Sequence, residues 1–475
     1  MRDIVVDVAI VGAGTAGLGA QREVEKAGKS YVLVEAGPYG TTCARVGCMP
    51  SKLLLAAADA ARAVAQAPIF GVRAEDVRVD GRAVMKRVRE ERDRFTADVV
   101  RSTEAIAADR RLRGTARFVA RDVIQVDDRA RVKARAFVIA TGSRPWIPPP
   151  FDAIAGHVDT SDDIFEWSDL PASVAVVGTG VIALELGQAL QRLGVRVTFV
   201  NPLDELGPFS DPVCIAKARE VFASELDLEL GVEDLAAEPA GGGVRLRWKR
   251  DGRAHERLFE KVLVAAGRRP NLEALDLAKT GLTLDRRGRP AWNPRTCQCE
   301  RSPIFLAGDA SGHRPLLHEA SDEGHIAGSN AASYPEVTAH VRRTPIAIAF
   351  TDPQMAIVGR YYRDLGEGVA IGEASFDDQG RARVMARNRG VIRIYADCAS
   401  AQLIGAEMLG PNVEHLAHLV AWAVQRAMTV QDCLSMPFYH PVVEEGLRTA
   451  LRALAKDLAV AGACRGEDLA ECPGQ

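Results

Sequence analysis

Cys43 and Cys48 carry the most chemical information in this chain. They lie in Gly40-Thr41-Thr42-Cys43-Ala44-Arg45-Val46-Gly47-Cys48-Met49-Pro50-Ser51-Lys52, directly after a glycine-rich nucleotide signature, so a dithiol stands beside a bound cofactor. On an ideal helix five residues rise about 7.5 Å, beyond the roughly 7 Å Cα separation that a disulfide can bridge. The helix must therefore be distorted. Gly47 and Pro50 are residue types that permit a distortion, and a strained disulfide is easily reduced, as a catalytic one has to be. Two free core thiols are the plainer alternative; the neighbouring nucleotide signature argues against it.

A strand, a glycine turn and a helix have to position that cofactor. Val5 to Val11 alternates and then saturates with Val, Ile and Ala, as a buried strand does, and delivers Gly12-Ala13-Gly14-Thr15-Ala16-Gly17 into a helical pattern. Gly12, Gly14 and Gly17 permit a tight turn, close approach to a pyrophosphate and close helix packing, and the helix N-terminus offers free N–H groups to the phosphate charge. The second strand, Tyr31 to Val34, ends in Glu35, where a carboxylate can accept the adenosine ribose hydroxyls.

The arrangement recurs at Val174 to Val177, Gly178-Thr179-Gly180-Val181-Ile182-Ala183 and the strand Val195 to Val200. Two dinucleotide folds therefore share one chain. At the position corresponding to Glu35 stands Asn201, with no arginine close behind to hold a 2'-phosphate. The second site is expected to take a nicotinamide nucleotide, NAD in preference to NADP, with NADP still possible. Between the folds, Phe137 to Gly142 reads as a buried strand and small-residue turn, and Pro145 to Pro150 as a stiff exit. Ile304 to Asp309 repeats that strand and turn, which implies a return to the first fold. From about residue 340 shorter strands and a final helical stretch suggest a third domain.

A length of 475 residues agrees with about three domains. A net charge of -3 lacks the basic footprint of nucleic-acid or anionic-membrane binding, so neither partner is expected. The mixed-sign run Lys86 to Arg94 reads as a solvated helix face. No secretory signal is recognisable at the N-terminus, and no apolar run reads as long enough to span a bilayer. Nine scattered cysteines, an odd number, do not form a secreted disulfide framework, and a cytoplasmic location is expected. Cys297-Gln298-Cys299 is too closely spaced for a zinc half-site and reads as structural; no metal site is expected.

Taken together, Cys-x4-Cys after the first glycine motif, Ala140-Thr141-Gly142, Gly267-Arg268-Arg269-Pro270-Asn271, Gly308-Asp309 and His440-Pro441 resemble the flavin-dependent pyridine nucleotide-disulfide oxidoreductases, the dihydrolipoamide dehydrogenases most closely. The resemblance spans about residues 5 to 455. It implies an α/β fold with two Rossmann-like dinucleotide-binding domains and a C-terminal α+β interface domain: an FAD-binding part at 1–150, an NAD(P)-binding domain at 151–271, a return of the FAD domain at 272–340, an interface domain at 341–460 and a tail. It also implies a homodimer whose active sites are shared between subunits.

By the same resemblance Cys48 is the sulfur nearest the flavin and Cys43 the interchange thiol. His440 is the acid–base residue, oriented by Glu445, and both reach the disulfide of the partner subunit. Lys52 and Glu185 match a pair near the flavin ring. Thr42, Thr141, Gly142 and Asp309 match FAD-side positions, and Gly178, Gly180, Asn201 and Gly267 match nicotinamide-side ones. Leu316, Leu317 and His318 match a flavin-side helix start, His318 reading as structural. Departures occur at Tyr439, where the lipoamide enzymes usually carry His-x-His-Pro, at Ala183, where a glycine is usual, and at Gln354, where an acid is common.

The activity implied is reoxidation of a dihydrolipoyl group on a carrier protein, electrons passing through the disulfide and FAD to NAD. Competing readings are reduction of a small disulfide such as glutathione, a mercuric-ion reductase, a thioredoxin-reductase-like relay through Cys464 and Cys472, and a lipoyl-protein binding subunit with vestigial redox chemistry. The mercuric type usually carries a vicinal C-terminal cysteine pair, which is absent; intact Cys43, Cys48, His440 and Glu445 count against the vestigial reading.

Overall fold

The apolar saturation that starts this chain marks only half of its first strand. β1 (Arg2–Val11) is buried from Val8 onward, while Val5 is 79% exposed. The buried half is the part flanked on both sides: β1 pairs in parallel with β2 (Tyr31–Glu35) and with β6 (Ala130–Ile139), which the computed structural model, describing residues 1–460, places in one sheet with β3 (Arg111–Arg113), β4 (Ala116–Ala120) and β5 (Val123–Val126). The order is β3-β2-β1-β6-β5-β4. Ile304–Leu306 joins the last residues of β6 in parallel, Ile304 opposite Phe137 and Leu306 opposite Ile139, so a distant segment completes the first sheet.

Helix α1 (Thr15–Lys26) lies against the helix Leu317–Ser333 through small residues. A Cβ on Gly324 would meet the Ala16 carbonyl at 2.3 Å, and one on Gly328 the Ala20 Cα at 2.5 Å. Next come α2 (Thr42–Val46), α3 (Cys48–Gln66) and α4 (Gly81–Glu104). The mixed-sign run Lys86 to Arg94 falls on α4 and is not a purely solvated face. Met85 and Val88 are fully buried against α3, and buried Arg92 pairs with Asp93 and with Glu166. Charged residues spaced along a helix can still present one inward side every three to four positions.

The expectation about apolar runs also needs correction. The helical stretch 42–70 is long and apolar enough, by length and composition, to cross a bilayer. Its alanine-rich segment instead packs on α4 and on α5 (Val181–Arg192), and it carries Lys52 in an ion pair with Glu185.

A second parallel sheet has the order Asp227–Leu230, Arg196–Asn201, Ser173–Val177, Lys261–Val264, Asp159–Thr160, with a three-stranded antiparallel sheet, Glu233–Ala240, Gly243–Arg250 and Arg253–Phe259, beside it. The chain enters and leaves this unit through one antiparallel pair, Ser143–Pro145 with Arg268–Pro270. A five-stranded antiparallel sheet follows, Ile346–Ala349, Gln354–Gly359, Leu403–Gly410, Val391–Asp397, Val369–Ser375, covered by helices Val413–Gln425 and Glu444–Val460.

Candidate active site

The two cysteines lie on different helices. Thr41 caps α2, its hydroxyl accepting from Ala44 N at 3.3 Å, and Gly47 breaks the chain between Val46 and Cys48. A Cβ on Gly47 would stand 3.0 Å from the Thr42 carbonyl and 3.2 Å from the Cys43 Cα, so the missing side chain lets α3 start against α2. Gly47 thus provides the distortion the sequence required. Pro50 does not: it sits in the first turn of α3, where a missing N–H costs nothing.

Both thiols are unbridged, Cys43 half-buried and Cys48 exposed. A hydrogen bond from the Cys43 thiol lowers Cys48 to about 7; burial opposes this, and the Lys52 ammonium adds to it. The same contact raises Cys43, and burial adds to that. The pair is therefore asymmetric: the first proton to leave comes from Cys48, and Cys43 keeps its own.

Lys52 is held by two residues that are themselves joined. Its Nζ bonds Glu185 Oε2 at 2.7 Å and stands 4.5 Å from the centre of the Phe350 ring, and Glu185 Oε1 accepts from Phe350 N at 2.8 Å. Along α5 the same loop is gripped twice more. Gln188 Oε1 accepts from Asp352 N at 2.9 Å, and its Nε2 donates to the Asp352 carbonyl at 3.0 Å. Arg192 donates to that carbonyl at 3.0 Å and pairs with the Asp352 carboxylate at 3.3 Å. Residues 185, 188 and 192 share one helix face, so three side chains fix one loop to the helix that opens the second nucleotide fold.

A cavity of about 590 Å³ opens at the first glycine turn, lined by Gly12, Gly14, Glu35, Thr42, Arg45, Thr141, Gly142 and Glu273 among others. Gly12 has φ +109°, and a Cβ there would strike the Ala140 carbonyl at 2.2 Å; one on Gly17 would strike the Gly12 carbonyl at 1.8 Å. A Cβ on Gly14 would meet nothing within 4 Å, which leaves the space before the α1 N-terminus open. Glu35 Oε2 accepts from Ala13 N and Oε1 from Gly37 N, each at 2.7 Å. Open space at the middle glycine, free helix N–H groups and a carboxylate at the strand end suit the pyrophosphate and ribose of a dinucleotide, and the residues present fit FAD.

The far wall is also braced. Thr141 and Asn271 exchange two hydrogen bonds, Thr141 Oγ1 to Asn271 O at 2.7 Å and Asn271 Nδ2 to Thr141 O at 3.1 Å, and Gly142 O accepts from Asn271 N. Asp309 Oδ2 accepts from Ser143 Oγ at 2.7 Å, whose oxygen accepts from Arg268 Nε at 2.9 Å. Gly308 N donates to buried Glu323 at 2.8 Å. Leu316 precedes the helix that starts at Leu317. Leu317 and His318 are exposed, so His318 is no core residue.

In the second fold Gly178 repeats the positive φ at +105°, Gly180 again faces open space, and Ala183 is fully buried at the third glycine position. Gly267 likewise has positive φ, and its carbonyl accepts from Trp146 N at 3.0 Å. Asn201 ends its strand with Nδ2 donating to Thr179 Oγ1 at 2.6 Å and Oδ1 accepting from Leu203 N at 3.3 Å.

His440 lies far along the sequence and is 80% exposed. Its Nδ1 is 3.1 Å from both Glu445 oxygens, and Glu445 also accepts from Val442 N and Arg448. Burial would raise the Glu445 carboxyl, but the His440 hydrogen bond and its other donors bring it below the usual value. No interaction joins His440 to Cys43 or Cys48 among the described residues. Cys297 and Cys299 are fully buried, and burial raises both thiols. Cys464 and Cys472 lie outside the described residues.

Arg45, Ser143, Glu273, Gln188 and Phe350 were not singled out by the sequence patterns. Arg45 had a signal, a cation between the two cysteines; the others are joined to the site only by the fold.

Comparisons of sequence and structure cover nearly the whole chain. The family described as "Pyridine nucleotide-disulphide oxidoreductase" matches residues 6–324, and its dimerisation domain matches residues 345–451. Dihydrolipoyl dehydrogenase of Haloferax volcanii is 31% identical over 94% of this chain and 95% of its own length. Mercuric reductase of Staphylococcus aureus is 29% identical over 98% of this chain and 85% of its own. The crystal structure of LpdA from Mycobacterium tuberculosis superposes with a TM-score of 0.81 at 23% identity, covering 95% of this chain and 99% of that one, a likeness of fold. The chain belongs to the pyridine nucleotide-disulphide oxidoreductases, a family of enzymes that use FAD and NAD, and it carries that family's dimerisation domain.

Proposed function

We propose that the chain is a dihydrolipoyl dehydrogenase, oxidising a dihydrolipoyl dithiol on a carrier protein and reducing NAD. The observation that carries the reading is the unbridged Cys43 and Cys48 with Lys52, ion-paired to Glu185, one helical turn on, in a chain similar over 94% of its length to a dihydrolipoyl dehydrogenase; the Cys43 thiol and Lys52 favour the Cys48 thiolate. FAD, held by the first glycine turn, Glu35, Thr42, Thr141, Gly142 and Asp309, supplies two-electron transfer between the dithiol and the nicotinamide nucleotide when bound.

The protein's residues handle thiols and protons. In the oxidised enzyme a substrate thiolate attacks Cys43 Sγ, forming a mixed disulfide and expelling Cys48 as its thiolate, the form its surroundings favour. The second substrate thiol then attacks the substrate sulfur of that mixed disulfide. The cyclic disulfide forms, Cys43 leaves with a proton, and two electrons have passed to the Cys43–Cys48 pair. Glu445 at Nδ1 fixes the His440 tautomer and leaves Nε2 to take and return protons. The exposure of His440 supports its acting on the dithiol of the partner subunit, with active sites shared across a homodimer. Gly178, Gly180 and Gly267 serve the nicotinamide nucleotide, with Asn201 at its ribose. We retain the division of the chain at residues 150, 271 and 340, and a cytoplasmic enzyme.

A reductase of another substrate, such as a metal ion or a small disulfide, is the second reading, favoured by the mercuric reductase relative. The test is a panel of dihydrolipoamide, lipoamide, glutathione disulfide and Hg(II) with both nicotinamide nucleotides. Turnover of dihydrolipoamide with NAD at the highest kcat/KM supports the proposal; turnover confined to Hg(II) or glutathione disulfide overturns it.

A further inference from the structure

Two cations line the cavity at the first glycine turn, Arg45 and Arg144. Arg144 is committed: it grips Glu273 through both guanidinium nitrogens at 3.0 and 2.9 Å and reaches Asn271 Oδ1 at 3.0 Å. Neither carboxylate of the lining pairs with Arg45: Glu273 is paired with Arg144, and Glu35 accepts from the N–H groups of Ala13 and Gly37.

Arg45 alone keeps its charge uncompensated. It makes no side-chain hydrogen bond or ion pair among the described residues, although it is half-buried and lines the cavity. A Cβ on Gly40 would lie 3.0 Å from the Arg45 Cδ and 3.1 Å from its Cγ, so the glycine leaves room for the aliphatic chain. A partly desolvated guanidinium without a counter-ion is costly unless a ligand supplies one.

The ligand chemistry follows from what shares the cavity. Gly14 leaves open space at the α1 N-terminus, which favours an anion, and no acid in the lining forms an ion pair with Arg45. We propose that Arg45 is the counter-charge of the cofactor's pyrophosphate, a binding residue carried on α2, the helix of Cys43. The inference rests on the reading of this cavity as the FAD site and assigns its electrostatic anchor. Because Arg45 is two residues from Cys43 on α2, the same contact fixes the segment that presents the interchange thiol.

The experiment uses the full chain, stripped of flavin and titrated with FAD, riboflavin and ADP at low and high salt, with binding read from flavin fluorescence and, for ADP, from heat. Arg45→Met keeps the aliphatic stem and removes the charge; Arg45→Lys restores the charge. The expected result is FAD and ADP affinities lowered about tenfold or more in Arg45→Met with a flattened salt dependence, riboflavin affinity unchanged, and recovery in Arg45→Lys. Wild-type FAD affinity and salt dependence in Arg45→Met overturn the proposal, as does an equal loss of riboflavin binding. A wild-type chain that binds no FAD sinks the reading of the cavity instead. Thermal unfolding of each variant separates a folding defect from a lost charge, and a misfolded Arg45→Met leaves the decision to Arg45→Gln under the same criteria.

Discussion

Asn201 stands to Thr179 as Glu35 stands to Ala13. Each ends the second strand of its fold, reaches back to the residue after the first glycine, and accepts from a backbone N–H two residues on, Gly37 in one case and Leu203 in the other. The difference is chemical: a carboxylate in the first site, an amide in the second. Asn201→Glu is expected to raise the NAD over NADP ratio of kcat/KM, since a carboxylate there accepts ribose hydroxyls and repels a 2'-phosphate. An unchanged ratio would show that Asn201 is not at the ribose.

The asymmetric dithiol has a pH signature. Alkylation of the reduced protein is expected to occur first at Cys48, with a midpoint near the value of about 7 set by its surroundings. Below that midpoint the thiol is protonated and slow; above it the thiolate reacts. Cys43→Ala removes the donated hydrogen bond and Lys52→Met the nearby cation, so both move the midpoint up, whereas Glu185→Gln moves it down. Peptide mapping of the alkylated chain over pH checks the order.

His440→Ala is expected to slow thiol–disulfide exchange by roughly two to four orders of magnitude while leaving nicotinamide-driven flavin reduction nearly unchanged. Stopped-flow measurement of the two half-reactions distinguishes this from a dimer or folding defect, which would depress both.

Gln188→Leu leaves Asp352 N without the Gln188 acceptor and the Asp352 carbonyl with Arg192 as its only side-chain donor among the described residues. Gln188 is itself 1% exposed, so the change should cost about 1–3 kcal/mol, read as a lower urea midpoint. A midpoint equal to wild type would mean the grip on the 350–353 loop contributes little.

Local patterns made the two glycine turns, Glu35 and the cysteine pair legible, because each is set by neighbours within one strand–turn–helix unit. The resemblance added His440 and Glu445, which meet at 3.1 Å. What stayed hidden depends on packing. Lys52 and Glu185 are 133 residues apart, and nothing local predicts that Phe350 covers one and bonds the other. Arg92 reads as a surface charge until α4 turns it inward toward Glu166. Val5 reads as core because periodicity cannot say where a strand loses its neighbours. Pro50 was credited with a break that Gly47 makes, since proline is tolerated in a helix's first turn.

The antiparallel pair Ser143–Pro145 with Arg268–Pro270 makes residues 146–267 an insertion with adjoining ends. Such a unit is a cassette on a narrow stem: it can be exchanged without rethreading the sheet around it. Its α5 face is not free, however: Glu185, Gln188 and Arg192 clasp the loop between the first two strands of the C-terminal sheet, and one apolar core runs from α3 and α4 through α5 to Met355 and Ile357 of that sheet. A replacement module must therefore bring its own copy of that face, so the parts free to vary independently are those turned away from α3, α4 and the C-terminal sheet.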